Sequence, residues 1–363
     1  MLTVKIHLMK PVSVGLRFAR LLSLLLFVTC IQPVMAAEST PDLVILNWSE
    51  YMDPAIITAF EAKHQVKIKE IYFESDDARD QILLQTNGKG FDLIMANGAI
   101  INSYRKNGWL QPLPVSKIPN LKYIEKRWVS AFESSKEYGA PYLWGTLGIA
   151  YRKDLVSKPI TSWKQLFTPE KDLKGKILMV KSSRDLIGMA LKSLGYSSNS
   201  ENVDELHQAE ALLLAQRPHV ARYGYITLGE NSSLVTGEIV AATVYGGDAL
   251  NVGEYNENIT YVLPDEGGDI WVDYFLLSAH SKQPGLAAKF LDFINQPKIA
   301  ARNSEALFLA SPNAAANKII SPEIKNNPVI YPNNELLSRS EFYKELSSLS
   351  TRNRASIFAR VVR

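Results

Sequence analysis

The chain has 363 residues, of which 46% are hydrophobic and 21% charged, and its formal net charge is +3 at pH 7. Its length exceeds the ~250–300 residues that one hydrophobic core normally serves, so we expect two lobes. The near balance of acidic and basic residues excludes a strongly basic surface, and with it nucleic acid or an anionic membrane as a partner.

The N-terminal segment, residues 1–36, predicts a secretory signal peptide. Four basic residues precede the apolar run from Leu21 to Ile31, and the small residues around Ala36 suit a cleavage site. The run is shorter than the roughly 20 apolar residues that span a bilayer, so we expect no membrane insertion after cleavage. Removal of four positive charges and no negative one would change the net charge from +3 to −1. The predicted location of the mature protein is the periplasm.

The single cysteine of the sequence, Cys30, lies in this segment. We therefore expect a mature chain without disulfide bonds or thiol catalysis. Burial of apolar side chains must then hold the fold together.

A buried strand followed by a polar, aromatic loop opens the mature chain. The run Val44 to Leu46 is typical of a strand buried on both faces, and Asp53-Pro54 is typical of a helix start. Ligands of open α/β sheets bind beyond the carboxyl ends of the strands. Two aromatic rings and a carboxylate at such a position suit an organic cation, although the rings could instead close the top of the core. The loop residues are Trp48, Ser49, Glu50 and Tyr51.

Alternating strand and helix patterns continue along the chain. A strand is predicted over 66–73, and after a helix a third strand over 91–95 ends in the loop Asn97-Gly98-Ala99. The apolar run from Ala140 to Tyr151 contains two glycines and is typical of a long strand that passes from one lobe to the next, with a crossover near Gly148.

The second lobe repeats the alternation and places polar residues at its strand ends. The strand predicted over 176–180 leads into a helix start that carries Asp185. The strand predicted over 237–245 ends in Tyr245 and is followed by Asp248. An aromatic ring and carboxylates therefore recur at the carboxyl edge of the sheet.

The extended segment 270–275 predicts a second crossover between the lobes. Because side chains alternate along a strand, Trp271 and Asp273 project to the same side and form one wall. We predict the following limits: lobe 1 comprises 42–147 and 271–318, and lobe 2 comprises 148–270 and 319–363.

The C-terminal tail from Tyr331 to Arg363 has a helical pattern. A basic cluster of this kind is typical of a solvated helix face. The four arginines that we interpret in this way are Arg352, Arg354, Arg360 and Arg363.

Motifs of catalysis and metal binding are missing from the sequence. There is no glycine-rich phosphate loop, no nucleophile elbow and no pair of histidines at metal-ligand spacing. We therefore predict no metal site, no cofactor and no catalytic residue. Asp185, Asp248 and Asp273 could supply a general acid and base, and an exported enzyme acting on a small amine is the alternative. Attraction of a cation by these acids needs fewer assumptions, because neither a nucleophile nor a metal accompanies them.

Five short motifs occur in a specific order along the chain: Asn47–Tyr51, Pro141–Gly145, Thr161–Trp163, Met189–Tyr196 and Glu266–Asp273. In order and spacing they resemble those of the periplasmic spermidine/putrescine-binding proteins, over residues 43–332. The resemblance implies an α/β fold of the two-lobed periplasmic binding protein type II. Its lobes would close on a polyamine of the spermidine, norspermidine or putrescine class. It also implies a membrane partner, either permease subunits of an ATP-driven importer or a signalling receptor, and we expect a monomer.

Several residues match the family's polyamine site. The aromatic loop after the first strand matches the family's own, and Asp185 falls where the family places an acid for an amine. Asp248 resembles the acid of the putrescine-binding members, and Trp271 with Asp273 matches a Trp-x-Asp motif whose carboxylate would bind an amine. The predicted ligand-binding residues are Trp48, Ser49, Glu50, Tyr51, Asn97, Asp185, Tyr245, Asp248, Trp271 and Asp273.

Other positions depart from the family. The loop Asn97-Gly98-Ala99 lacks an aromatic wall, Ser182 replaces an acid and Leu309 replaces a pocket tyrosine. Tyr245 stands where tryptophan is common, and Tyr343 falls near a family glutamine. The resemblance therefore implies a remodelled pocket.

Overall fold

The computed structural model describes residues 43–363; the predicted signal peptide, its cleavage near Ala36 and Cys30 lie outside the described residues. No helix within 43–363 is long and apolar enough to cross a membrane. The strands of this part are β1 (Leu43–Trp48), β2 (Ile68–Phe73), β3 (Leu93–Asn97), β4 (Gly139–Arg152), β5 (Ile177–Met179), β6 (Val220–Tyr223), β7 (Ala241–Tyr245), β8 (Ile259–Val262), β9 (Asp269–Leu277) and β10 (Glu341–Phe342). Its α-helices are α1 (Pro54–His64), α2 (Asp76–Thr86), α3 (Ile101–Lys106), α4 (Lys126–Val129), α5 (Ser135–Tyr138), α6 (Lys164–Phe167), α7 (Ser183–Ser193), α8 (Val203–Gln216), α9 (Ser233–Thr236), α10 (Gly246–Gly253), α11 (Pro284–Ile294), α12 (Pro297–Leu307), α13 (Pro322–Lys325), α14 (Asn334–Arg339) and α15 (Ser348–Val361).

The first half of the sheet has the strand order β2-β1-β3-β9-β4. Strands β2, β1 and β3 are parallel, whereas β9 is antiparallel to both β3 and β4. Ile45 and Leu46 of β1 are fully buried, as expected for a strand covered on both faces. Helix α1 begins as predicted, because the Asp53 side chain accepts a hydrogen bond from the Ala55 N–H at 2.8 Å.

Strand β4 joins the two halves of the sheet. It pairs with β9 from Gly139 to Thr146 and with β7 from Leu147 to Tyr151. Beyond β7 the sheet continues through β5 to β6, and both of these pairings are parallel. The carboxyl ends of β1 and β3 on one side, and of β5 and β7 on the other, carry the residues of the cleft described below.

Separate hydrophobic clusters underlie the two halves. The largest includes residues of β1, β3 and β9 together with Tyr343 of the tail, and Leu337 and Phe342 of the tail pack against it. A second cluster contains Trp163 and Leu186, together with Ile357 and Val361 of α15. The tail therefore contacts both clusters, and the limits given above for the lobes stay a prediction.

Three sequence expectations are corrected by local packing. The strand predicted over 237–245 begins only at Ala241, because the helical turn α9 ends at Gly237 in a left-handed conformation with φ +83°. The tail is not continuously helical, since β10 pairs with β9 between α14 and α15. Arg354 is not solvated: it is 2% exposed and donates hydrogen bonds to the Ser198 and Ser200 carbonyls at 2.8 Å each.

Candidate functional site

A cleft of about 560 Å³ lies where the carboxyl ends of strands from both halves of the sheet meet. This volume is within the range of small-molecule sites. All ten residues predicted from the sequence line it, and their part in ligand binding stays a prediction. Seven come from the β1, β3 and β9 side: Trp48, Ser49, Glu50, Tyr51, Asn97, Trp271 and Asp273. The others are Asp185, Tyr245 and Asp248.

The loop after β1 forms one wall of the cleft. The Trp48 ring packs against Phe73, with 4.4 Å between the ring centroids. Glu50 has φ +53°, a left-handed conformation that non-glycine residues rarely adopt and that recurs at ligand sites. The Tyr142 hydroxyl donates a hydrogen bond to the Tyr51 carbonyl at 2.8 Å and fixes the end of the loop.

Tyr51 connects this loop to the carboxylate of Asp273. The Tyr51 hydroxyl donates a hydrogen bond to Asp273 Oδ2 at 3.0 Å. Asp273 is 8% exposed, and burial, with a smaller contribution from the negative charge of Asp76, raises its pKa to about 7. The Tyr51 hydrogen bond acts in the opposite direction. No ion pair within residues 43–363 involves Asp273, so a cation beside it would stabilise its ionised form.

Asn97 stands opposite Asp273 in the antiparallel pairing of β3 and β9. Its side-chain oxygen accepts a hydrogen bond from the Ala99 N–H at 3.0 Å and caps a 3-10 turn, Gly98–Ile100. The expected loop is therefore an ordered turn. The Asn97 amide oxygen is already used within it.

The opposite wall is built around Asp185 in the first turn of α7. The Ser182 hydroxyl caps this helix by accepting a hydrogen bond from the Asp185 N–H at 3.3 Å. The Asp185 carboxylate accepts hydrogen bonds from two tyrosine hydroxyls, those of Tyr245, at 3.1 Å, and Tyr343. Burial raises the pKa of Asp185, and the hydrogen bonds from Tyr343, Ser182 and Tyr245 oppose this rise.

Asp248 lies in the first turn of α10. Within residues 43–363 its carboxylate accepts no hydrogen bond, and burial alone raises its pKa to about 6. Asp248 is partly exposed to the cleft, so a cation that enters the cleft can reach its carboxylate and favour the ionised form.

Trp271 and Tyr245 form the aromatic part of the cleft at the point where β4 changes partner. Their rings meet edge to face, with 6.1 Å between centroids and 84° between planes. Trp271 is 7% exposed and lies opposite Gly145 of β4. A Cβ atom at Gly145 would stand 2.6 Å from the Trp271 ring, so only glycine leaves room for the indole.

Negative charge predominates in the lining. Among the described lining residues Arg184 is the one cation, and its guanidinium lies 5.0 Å from the centroid of the Tyr343 ring. Of the lining acids, Asp53 is paired with Arg302 and Asp76 with Arg79. The acids of the lining are Glu50, Asp53, Glu74, Asp76, Asp185, Asp248 and Asp273. No group of three or more metal-ligating residues occurs in the described part of the chain.

Sequence reasoning left several lining residues out of the predicted site. The family resemblance places Tyr343 near a glutamine but does not assign it to the site. Tyr225 and Leu228 lie on the segment between β6 and α9, which has no periodic pattern. Phe308, with φ +53°, and Leu309 follow the end of α12. Tyr343 reaches the cleft because it follows β10, which pairs with the start of β9.

Residues 55–332, about three quarters of the chain, match the family described as Bacterial extracellular solute-binding protein. The chain belongs to this family. The resemblance drawn from the sequence motifs is thereby confirmed. A periplasmic or extracellular location is typical of this family of solute-binding proteins, which agrees with export.

Named relatives match this chain over most of its length. The chain is 28% identical to the Spermidine/putrescine-binding periplasmic protein of Escherichia coli over 317 residues, 87% of this chain and 90% of the relative. It is also 28% identical to the Norspermidine sensor of Vibrio cholerae over 352 residues, 96% of both chains. These relatives are named as a binding protein and a sensor, not as enzymes.

A solved structure supports the fold. The Spermidine/Putrescine ABC Transporter Substrate-Binding Protein PotD of Streptococcus pneumoniae superimposes with a TM-score of 0.76 at 26% identity, covering 88% of this chain and 98% of that one. The predicted α/β fold of a two-lobed type II binding protein is confirmed. The cleft between the two halves of the sheet is the ligand cleft expected of that fold.

Proposed function

We propose that this solute-binding protein captures a polyamine of the spermidine, norspermidine or putrescine class in the cleft. The observation that carries the proposal is a set of three carboxyls with raised pKa values, the buried Asp185 and Asp273 and the partly exposed Asp248. Among the described residues that line the cleft, Arg184 is the one cation. A flexible amine with two or more positive charges would restore their ionised forms. The rings of Trp48, Tyr245 and Trp271 would cover its methylene segments.

The interactions are strong enough for useful affinity. A hydrogen bond to a charged group contributes about 1.5–3 kcal/mol, and a cation over an aromatic face about 0.5–2 kcal/mol. Micromolar binding requires about 8 kcal/mol after the costs of association. One carboxylate and one ring fall short of this value, whereas three carboxylates and several rings reach it.

The names of the relatives support the ligand class and the location. Spermidine, putrescine and norspermidine occur in those names. The Escherichia coli protein is named as periplasmic, and the Streptococcus pneumoniae protein as the substrate-binding protein of an ABC transporter. We further propose that the mature protein, cleaved near Ala36, is a periplasmic monomer that presents its ligand to a membrane partner.

Two kinds of membrane partner follow from these names, the permease subunits of an ATP-driven importer and a signalling receptor. Uptake of labelled polyamine by cells with and without the gene separates them. Reduced uptake in the deletion strain supports an importer, whereas unchanged uptake with an altered response to added polyamine supports a receptor.

A thermal-shift panel tests the proposed ligand class. Purified protein, unfolded and refolded to remove bound ligand, is heated with putrescine, cadaverine, norspermidine, spermidine or spermine. Because a ligand that binds the native state raises the melting temperature, at least one polyamine should do so, while lysine and γ-aminobutyrate serve as comparison amines. A shift with the comparison amines alone would overturn the proposal. Recovery of unchanged polyamine after incubation supports binding without turnover, and its conversion would instead support the exported enzyme.

A further inference from the structure

The three carboxylates of the cleft differ in how many tyrosine hydroxyls donate to them. Within residues 43–363 Asp248 receives none, and Asp273 receives one, from Tyr51. Asp185 receives two, one on each oxygen, since Tyr343 donates to Oδ1 and Tyr245 to Oδ2. The three acids, which the family resemblance treats alike, therefore have different capacities for a ligand amine.

Asp185 is the least accessible of the three. Its side chain is 3% exposed, and both of its oxygens already accept a hydrogen bond. Tyr245 and Tyr343 line the same part of the cleft. An amine that approaches Asp185 therefore meets phenol oxygens before it meets the carboxylate.

Both phenols are held in place on their other sides. The Tyr245 ring contacts Trp271 edge to face, and the Tyr343 ring lies under the Arg184 guanidinium. A phenol that donates its proton keeps lone pairs with which it can accept a hydrogen bond. Donation to a carboxylate polarises the phenol oxygen and strengthens it as an acceptor.

We infer that Asp185 is a positioning residue, which fixes and polarises Tyr245 and Tyr343 so that their phenol oxygens accept the N–H groups of the polyamine. Asp248 and Asp273 are the carboxylates that contact ammonium groups directly. The inference deepens the proposed function and rests on it. It assigns Tyr343, which lies in the C-terminal tail, to the binding site.

The test is a double-mutant cycle measured by titration calorimetry with the polyamine that gives the largest thermal shift. The variants are Tyr343→Phe, Tyr245→Phe, Asp185→Asn, Asp185→Ala and the double variant Tyr343→Phe/Asp185→Asn. Loss of one phenol acceptor should weaken binding by about 5- to 20-fold. The double variant should lose much less than the product of its two single losses, because Asp185 acts through the phenols.

A comparison of Asp185→Asn with Asp185→Ala separates positioning from direct charge pairing. Asparagine keeps one acceptor oxygen for a tyrosine hydroxyl. Asp185→Asn should therefore bind the polyamine about 5-fold or more tightly than Asp185→Ala. If Asp185 bound the ammonium directly, both variants would lose the charge and bind about equally weakly. Removal of a competing phenol donor in Tyr343→Phe would then leave affinity unchanged or higher.

The melting temperature of each unliganded variant shows whether it is folded. If Tyr343→Phe fails to fold, the same cycle is measured with Tyr245→Phe, Asp185→Asn and the double variant of these two. Unchanged affinity in a folded Phe variant, or equal losses in the Asn and Ala variants, would overturn this inference alone. A wild-type protein that binds no polyamine would overturn the proposed function and this inference with it.

Discussion

The rings of Trp271 and Tyr245 meet edge to face, 6.1 Å between centroids, beside the residues at which β4 leaves β9 and pairs with β7. Trp271 lies opposite Gly145, and Tyr245 lies opposite Leu147, two residues further along the same strand. The aromatic contact thus spans the junction between the two halves of the sheet. A ligand that touches both rings contacts both halves at once.

Replacement of Trp271 by alanine or of Asp273 by asparagine should weaken polyamine binding by about 2 kcal/mol or more, by analogy with removal of one partner of a buried charge pair. Titration calorimetry measures the loss. Asp265→Asn, an exposed aspartate outside the cleft, is the matched control and should bind normally. Wild-type affinity in both cleft variants would remove these residues from the site.

Gly145→Ala should weaken binding although Gly145 does not line the cleft. The added Cβ would stand 2.6 Å from Trp271 Cζ2, so the indole must move. Overpacking a buried site costs about 1–3 kcal/mol of stability, and the displaced indole should weaken polyamine binding severalfold. Gly285→Ala is the control, since no atom lies within 4 Å of its added Cβ. Equal affinities of the two alanine variants would contradict the packing argument.

Polyamine affinity should fall as the pH is lowered. The pKa of Asp273 is raised to about 7 and that of Asp248 to about 6 in the unliganded cleft, and an ammonium group binds only the ionised forms. Dissociation constants measured by calorimetry at about pH 8 and about pH 5 should differ by at least roughly tenfold. Asp273→Asn should reduce this difference, and equal constants at the two pH values would contradict it.

The unliganded protein should show the opposite dependence. Both carboxyls have a higher pKa in the folded than in the unfolded chain, so the folded state binds more protons between about pH 4 and pH 7. Their stabilising contribution is fully present below about pH 4 and is lost as the pH rises through 6 to 7. Urea unfolding of Asp248→Asn/Asp273→Asn should therefore depend less on pH in this range than that of the wild type. The same dependence in both proteins would be contrary to the raised pKa values.

Arg354→Ala should destabilise the fold by about 2–4 kcal/mol, because the buried Ser198 carbonyl and the partly buried Ser200 carbonyl lose a charged donor. Arg352→Ala removes an exposed arginine from the same helix and should change the free energy of unfolding by about 0.5 kcal/mol or less. Urea unfolding of both variants gives the comparison. Similar changes in the free energy of unfolding for the two substitutions would contradict a structural role of Arg354 and support the solvated basic face that the sequence pattern predicted.

Strand ends were the informative positions of the sequence. Trp48 and Tyr245 could be placed because buried strands are visible in the order of residues, and the ends of such strands meet at one edge of a sheet. Asp273, within β9, could be placed from the alternation of side chains along a strand. Tyr343 could not, since it reaches the cleft through β10, a strand of only two residues that has no periodic signal. The burial of Arg354 likewise depends on the packing of α15 against a loop about 150 residues earlier in the chain.

The central claim is that the cleft binds a polyamine through carboxylates from both of its sides. Calorimetric titration of refolded wild-type protein and of Asp248→Asn/Asp273→Asn with the polyamine panel tests it most directly. The account predicts one ligand per wild-type chain with a dissociation constant of about 1 μM or lower, and at least ~100-fold weaker binding to a double variant that is still folded. No binding of any polyamine to the wild type, or equal affinity of the two proteins, would contradict it.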